Sequence, residues 1–322
     1  MQNANQTNGH EPAFQVEGSI HYFTGPHCPP GTEKIKHSRR FVVARKGDQW
    51  KIRTTNLHED SVVMAIDYDE MGCDGTSICE LKSFDEINPE ISNIKSIITA
   101  QGRVRPGNAL VGLEIDLIYP LWIAYCSSSH FLSRKDNRLA APLFIMGDNL
   151  LGTVPPPFSL PAEWKLNGSN FIREISWQSE GKELGVENGT ENRLQYRLHE
   201  LPPPFNSGFL RASFETTDWV NFNGMRLPGN FTVKSFFPDQ STGKLDASYA
   251  IGAKVQVVQP LHDFSFLPKL TKQTRITDTR YRLCAPCSGH PTYAGSTWMT
   301  EEEVEAKNRS LGIEYEKQTS PD

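Results

Sequence analysis

The chain has no long apolar run. Its most apolar stretch, Leu110 to Tyr125, is interrupted by Glu114, Asp116 and Pro120, short of the ~18 uninterrupted apolar residues that a bilayer-crossing helix needs. That stretch reads as core, so no transmembrane segment is expected. An excess of positive charge is missing too. With 33 Lys and Arg against 38 Asp and Glu, the formal net charge is −5, and there is no basic footprint for the phosphate contacts that dominate nucleic-acid affinity. Nucleic acid is therefore not an expected partner. The nucleophile elbow GxSxG, the metal-binding HExxH and the phosphate-cradling GxxxxGK[ST] are all absent, so the expectation is a protein that is not an enzyme and has no cofactor.

The first residues, Met1 to Glu11, lack the cationic start and apolar core of a secretory signal. This fits a cytoplasmic protein if the sequence is complete as given. It fits equally a periplasmic or envelope protein whose signal peptide was removed. Cysteine is scarce: Cys28, Cys73, Cys79, Cys126, Cys284 and Cys287 are far too few for a disulfide-stapled mini-protein, and their pairing cannot be read from spacing. Oligomeric state is equally unwritten.

What is present is β pattern. Between Arg40 and Thr55 two strand-like runs flank Gly47-Asp48, and glycine first in a two-residue loop favours a type II′ hairpin because it takes positive φ cheaply. Pairing outward sets Arg45 against Trp50, Val43 against Ile52 and Phe41 against Thr54 on one face. Val42, Ala44, Lys51 and Arg53 form the more polar face. A second hairpin, Val62 to Tyr68 with Thr76 to Leu81 around Asp74-Gly75, is expected beside the first. Ile91, Ile94 and Ile98 fall at helical spacing and Leu110 to Phe131 is too long for one strand, so one or two helices are expected between Pro89 and Ser133, with Pro120 kinking or breaking the second. Pro155-Pro-Pro157 is the candidate linker. Strand pattern resumes at Phe171 to Trp177, Leu194 to Leu198, Phe209 to Val220, Phe231 to Phe237 and Tyr249 to Val258, the last with Ile251, Ala253, Val255 and Val257 on one face. Thr300 with Glu303 is a capping-box signature for a short helix.

These signals predict a mainly β (α+β) fold: a large curved antiparallel sheet, half-barrel-like, with a few covering helices. Residues 1–12 are expected as a disordered stub and 13–157 as an antiparallel sheet with helices. Residues 158–299 would be further strands of the same sheet or of a second domain, and 300–322 a short helix with a disordered tail.

Few constellations carry chemistry. Cys284-Ala-Pro-Cys287 with His290 has the spacing of a weak metal or redox site, and His262 is the nearest candidate fourth ligand; a disulfide or two idle thiols is the simpler reading. Asp67, Asp69 and Gly72 begin a calcium-loop pattern that fails at Met71 and Ile78. Ser127-Ser-Ser-His130 sets hydroxyls near an imidazole without a triad's geometry. Asp278 and Arg280 form a potential strand ion pair of the ordinary surface kind. Asn167, Asn188, Asn230 and Asn308 each head a glycosylation sequon.

The segment from Phe41-Val-Val-Ala-Arg45 through the Gly47-Asp48 turn, Trp50-Lys-Ile-Arg53 and the Asp74-Gly75 hairpin resembles the opening of the bacterial lipoprotein-sorting proteins LolA and LolB, over Phe14 to Leu81. The resemblance implies an unclosed sheet capped by helices whose apolar concavity receives lipoprotein acyl chains in the periplasm. A cavity lined by Phe41, Val43, Arg45, Trp50 and Ile52 would bury such chains at ~0.8 kcal/mol per methylene without a catalytic group. Arg39, Arg40 and Arg45 are the candidates for the family's cavity arginine. The chain departs from the family in lacking a signal sequence and in its greater length. The expected function is thus non-enzymatic lipid or lipoprotein binding in the bacterial envelope. The alternatives are a structural or protein-interaction module with a filled core, and a metal or redox protein at Cys284, Cys287 and His290.

Overall fold

The computed structural model describes residues 13–24, 36–56, 66–84, 100–110, 117–139, 142–145, 150–153, 159–188, 194–262, 264–270, 274–284 and 289–319. The run Ile91, Ile94 and Ile98, the Pro155-Pro-Pro157 segment and the N-terminal stub lie outside these residues.

The strands are, in chain order, β1 (Ala13–Thr24), β2 (Lys36–Lys46), β3 (Gln49–Asn56), β4 (Ile66–Cys73), β5 (Ser77–Phe84), β6 (Ala100–Pro106), β7 (Arg138–Leu139), β8 (Pro142–Ile145), β9 (Leu150–Thr153), β10 (Leu160–Leu166), β11 (Ile172–Ser179), β12 (Lys182–Asn188), β13 (Leu194–Glu200), β14 (Phe209–Phe222), β15 (Met225–Asp239), β16 (Lys244–Gln259), β17 (Thr274–Asp278), β18 (Tyr281–Leu283), β19 (Thr292–Gly295) and β20 (Tyr315–Lys317). Three α-helices are described: α1 (Ile118–Tyr125) and α2 (Ser128–Ser133) follow β6, and α3 (Glu301–Ser310) precedes β20. The chain is mainly β, and fourteen strands belong to one open sheet. Two compact units divide it: Met1–Gly18, Arg39–Asn108 and Gln256–Asp322 form the first, and Ser19–Ser38 with Ala109–Val255 the second.

In the first unit the strand order runs β19-β17-β6-β5-β4-β3-β2. The β2–β3 hairpin has the register that its turn and alternation predict, Phe41 opposite Thr54, Val43 opposite Ile52 and Arg45 opposite Trp50. Gly47 sits at φ +59°, a value that glycine adopts without steric cost. The second hairpin lies beside it, β3 against β4 and β4 against β5. Its strand continues through Asp69 to Cys73, so the connection is tighter than the sequence pattern indicates. Asp74 holds it closed, its Oδ1 accepting from the backbone N–H of Thr76 and of Ser77, each at 2.8 Å. One pairing departs from the antiparallel expectation: β17 runs parallel to β6. Parallel neighbours need a long crossover, and the chain between Pro106 and Thr274 supplies one.

Both faces of this sheet carry buried apolar side chains. One carries Phe41, Val43, Trp50, Ile52, Met71, Cys73 and Ile78, none more than 2% exposed. The other carries Cys79, Leu81, Val104 and Ile276, packed under Leu270, Tyr281, Tyr293 and Val304 from the C-terminal segment. That segment is anchored by charge. Asp278 and Arg280 pair through two bonds of 3.0 and 2.7 Å, and Arg280 also donates to the carbonyl of Met299 at 2.9 Å. The pair is buried, with side chains 0% and 6% exposed, so the sequence-based expectation of an ordinary surface pair is corrected: the covering segment closes over it. The capping box at Thr300 and Glu303 starts α3 as predicted. Beyond Glu314 the expected disordered tail is instead β20, paired with β18, because Tyr315 packs edge-on to Tyr281 at 5.3 Å.

In the second unit the order is β16-β15-β14-β11-β10-β7, and four of the strands forecast for the second half, β11, β14, β15 and β16, fall in it; the fifth, β13, pairs with β12 as a separate ribbon. Here burial is one-sided. Ile175, Trp177, Ala212, Phe214, Phe231, Val233, Ile251 and Ala253 share the covered face, whereas Val257, expected on that face, is 44% exposed. Every residue of α1 is buried, the mark of a helix enclosed on all sides. Pro120 does not break this helix. It lies in the first turn, where the backbone N–H that proline lacks would have no intrahelical partner.

Gly72 tests the covering segment. A Cβ there would stand 1.7 Å from the carbonyl oxygen of Phe266, which no rotamer can relieve. Gly72→Ala should therefore lower unfolding stability by about 3 kcal/mol, the upper range of overpacking costs, and urea denaturation would measure it; an unchanged midpoint would show that residues 264–268 do not lie against β4.

Candidate ligand-binding site

The face of the first unit carrying Phe41, Val43, Arg45, Trp50 and Ile52 brings all five sequence-predicted residues together. Two antiparallel strands with a two-residue turn place alternate side chains on one side. All five are buried, Arg45 at 5% exposure being the most open. Trp50 is satisfied, its indole N–H donating to the carbonyl of Asn108 at 3.3 Å. Arg45 Nε donates to the carbonyl of Gly47 at 2.9 Å. Arg39 donates to Asp69 at 3.0 Å and to the Thr54 hydroxyl at 3.1 Å. Of the three arginines considered for a cavity role, Arg39 and Arg45 share the apolar face and Arg40 is exposed on the other. Further along, Glu80 pairs with Arg105 and, at 3.3 Å, with Lys82. Burial alone would raise the Glu80 carboxyl, but Arg105, Lys82 and Arg103 outweigh it and hold it below the usual carboxylate range.

The covered layer of the second unit is richer in aromatics, and the sequence did not mark it as a site. Phe214 stacks on Phe231 with centroids 5.2 Å apart, and Tyr125 of α1 meets Phe231 edge-on at 6.2 Å. The Tyr125 hydroxyl donates to the carbonyl of Pro228 at 2.9 Å, pinning α1 to β15. Among the described residues of this unit, the indole nitrogens of Trp122 and Trp177 are both buried and both without a hydrogen-bond partner. Trp177 lies in a predicted strand and Trp122 in a predicted core segment. Only the missing acceptors distinguish them, and those are a tertiary property.

On the outer face of the same sheet a depression of about 650 Å³ is walled by Arg173, Glu174, Glu215, Trp219 and Arg226. Its charged groups are engaged, Glu174 with the neighbouring Lys165 and Arg226 above the Trp219 ring at 5.5 Å. Asn167 at its edge uses its side chain to hold the β10–β11 turn, donating to the carbonyl of Arg226 at 2.8 Å and accepting from Ser169 and Phe171. The Asn167 side chain is thus engaged in its turn, and Asn308 is 3% exposed.

The remaining candidates part company. His130 is pressed between Trp122 and Phe131 at 5.5 and 5.7 Å; burial and then Arg134 push its pKa down to about 4, so it is neutral at pH 7. The Ser127 hydroxyl donates to the carbonyl of Ile123. His290 Nδ1 bonds the carbonyl of Tyr281 at 2.8 Å, and Cys287 lies outside the described residues. Among the described residues no group of three His, Cys, Asp or Glu is arranged to hold a metal ion. Asp69, part of the abortive calcium pattern, is the partner of Arg39. Cys73 and Cys79 sit on adjacent strands but on opposite faces, since Cys73 is opposite Ile78. Burial pushes the Cys73 thiol up to about 12, far from a reactive thiolate. No described helix is long and apolar enough to cross a membrane.

No protein family and no curated protein matches the chain. Two solved structures are similar to it. A LolA superfamily protein from Nitrosomonas europaea aligns with a TM-score of 0.34 at 12% identity, covering 79% of this chain and 88% of its own. A DUF1329 family protein from Desulfovibrio piger aligns with a TM-score of 0.32 at 7% identity and the same coverage.

The Glu80 cluster yields a pH-dependent expectation. The folded carboxyl lies below its ordinary value of 4.5, so its contribution is present in full above that value and is lost as pH falls through the folded one. Glu80→Gln removes the anion beside Arg105 and should cost about 3 kcal/mol at pH 7, shrinking toward zero in strong acid. Chemical denaturation at a series of pH values checks this; a cost independent of pH would refute the ionic origin.

Proposed function

We propose that the protein is a non-enzymatic binder of a lipid or of a lipoprotein acyl chain, seated in the covered aromatic layer of the second unit beneath α1. The observation that carries this is the pair of buried indole donors, Trp122 and Trp177, with no acceptor. A buried donor left unpaired costs about 1–3 kcal/mol, and native structures leave few such groups without a water or ligand to meet them. Trp50, by contrast, has its acceptor within its own unit. An acyl ester suits the layer, since its methylenes match Phe214, Phe231 and Ile251 while its carbonyl oxygens can accept from an indole. Among the described residues there is no metal cluster, and binding needs none.

The face of the first unit with Phe41, Val43, Arg45, Trp50 and Ile52 is the second seat for the same chemistry, favoured by two cations on it, the buried Arg45 and the partly buried Arg39. The setting we propose is the bacterial envelope, which the resemblance of the β2–β3 hairpin to lipoprotein-sorting proteins implies.

A photoactivatable palmitate ester, mapped by mass spectrometry after cross-linking to the full chain, tests both binding and seat. Cross-links are expected within residues 117–125, 172–179 and 209–235. Trp177→Phe, which deletes one donor and little volume, should weaken binding about fivefold, the worth of one hydrogen bond, whereas Trp219→Phe on the outer face should not. Cross-links confined to residues 39–54 would move the seat to the first unit, and absence of any specific cross-link would remove lipid binding in favour of a protein-interaction role with a filled core.

A further inference from the structure

A second, smaller cavity lies wholly within the first unit, between α3 and the strands β18 and β19. It encloses about 230 Å³, larger than the ~150 Å³ apolar cavity that holds one benzene and just under the ~300 Å³ at which ordinary ligand pockets begin. A guest of six to ten heavy atoms is the scale that fits. Its walls are mostly apolar, with Tyr293, Met299, Val304 and Ile313 among them.

Besides the Thr292 hydroxyl, which reaches the carbonyl of His290, two groups on consecutive residues of α3 break that apolar lining. Asn308 is 3% exposed, and its side-chain amide nitrogen is buried without a hydrogen-bond partner. Nothing about α3 requires an amide there: the helix is started by the Thr300 capping box and ended by backbone bonds from Leu311 and Gly312. Valine or leucine would fill the same space without a stranded donor. Lys307 is exposed and also lines the cavity, its ammonium 5.5 Å from the centre of the Tyr293 ring. A neutral donor inside and a cation at the opening are complementary to one kind of molecule: apolar in body, ending in a carboxylate that accepts from Asn308 and is paired by Lys307.

We infer that this cavity is a binding site for a small apolar monocarboxylate, of the size of hexanoate or benzoate. It is separate from the acyl-chain seat, shares no residue with it and survives if that reading fails. The Asn308 sequon is thereby explained as a buried ligand contact and not as a glycan acceptor.

The test uses the full chain and sodium hexanoate, reading the Asn308 side-chain amide by two-dimensional NMR, with the resonance assigned by its disappearance in Asn308→Leu. Hexanoate should shift that resonance saturably. Hexan-1-ol, equal in length but neutral, should bind about threefold more weakly at low salt, the scale of one exposed charge contact, and Lys307→Met should erase the difference. Without ligand, Asn308→Leu should melt at a higher temperature than the parent, since it removes a stranded buried donor; a purely structural asparagine would give a lower one. An Asn308 resonance unmoved by hexanoate, equal response to the alcohol, or a lower melting temperature for Asn308→Leu would each overturn the assignment.

Discussion

An open sheet of amphipathic strands must have its apolar faces covered, and that single requirement organises this protein. At about 25 cal/mol per Å² of apolar surface removed from water, an uncovered face of Phe, Trp and Ile would forgo several kcal/mol per strand pair and invite association. The two units meet the requirement differently. The first buries apolar side chains on both faces of its sheet, those of Cys79, Leu81, Val104 and Ile276 under the C-terminal segment with Leu270, Tyr281, Tyr293 and Val304. The second buries one face and leaves Glu163, Arg173 and Lys254 on the other to water. Continuous burial in one and alternation in the other follow from how many sides are covered.

Closure of the first unit depends on charge as well as on apolar area. The Asp278–Arg280 pair sits at the turn between β17 and β18 and reaches the carbonyl of Met299, just ahead of α3. It thereby fixes the path of the segment that covers Cys79, Leu81 and Val104. Buried pairs seldom add net stability over an apolar substitute; what this one supplies is position, since a bidentate guanidinium–carboxylate contact tolerates little displacement. Glu80 with Arg105 and Lys82, and Asp69 with Arg39, fix the opposite face in the same manner. The second unit has no comparable network among its described buried residues and relies on aromatic packing, with the Tyr125 hydroxyl as its polar pin.

Both proposed sites share a physical signature that differs from the one sequence reading favours. Neither is marked by a motif. Each is marked by a donor whose acceptor the protein does not supply, Trp122 and Trp177 in the aromatic layer and Asn308 beside the small cavity. The motif-like candidates instead proved to be occupied within the fold. His130 is packed among aromatics, Asn167 is tied into its turn, and Asp69 is spent on Arg39.

The chain's local chemistry alone determined the hairpins, the strands of the second half and the start of α3. Gly47-Asp48, the alternation of Phe41, Val43, Trp50 and Ile52, and the Thr300–Glu303 box act between residues a few positions apart, where turn geometry and side-chain period leave one arrangement. Tertiary structure decided the parallel entry of β17, the burial of Asp278 with Arg280, the strand at Tyr315–Lys317 and the stranded donors of Trp122, Trp177 and Asn308. Each of these depends on which distant segment covers which face, and covering is a property of the folded chain that no local pattern encodes.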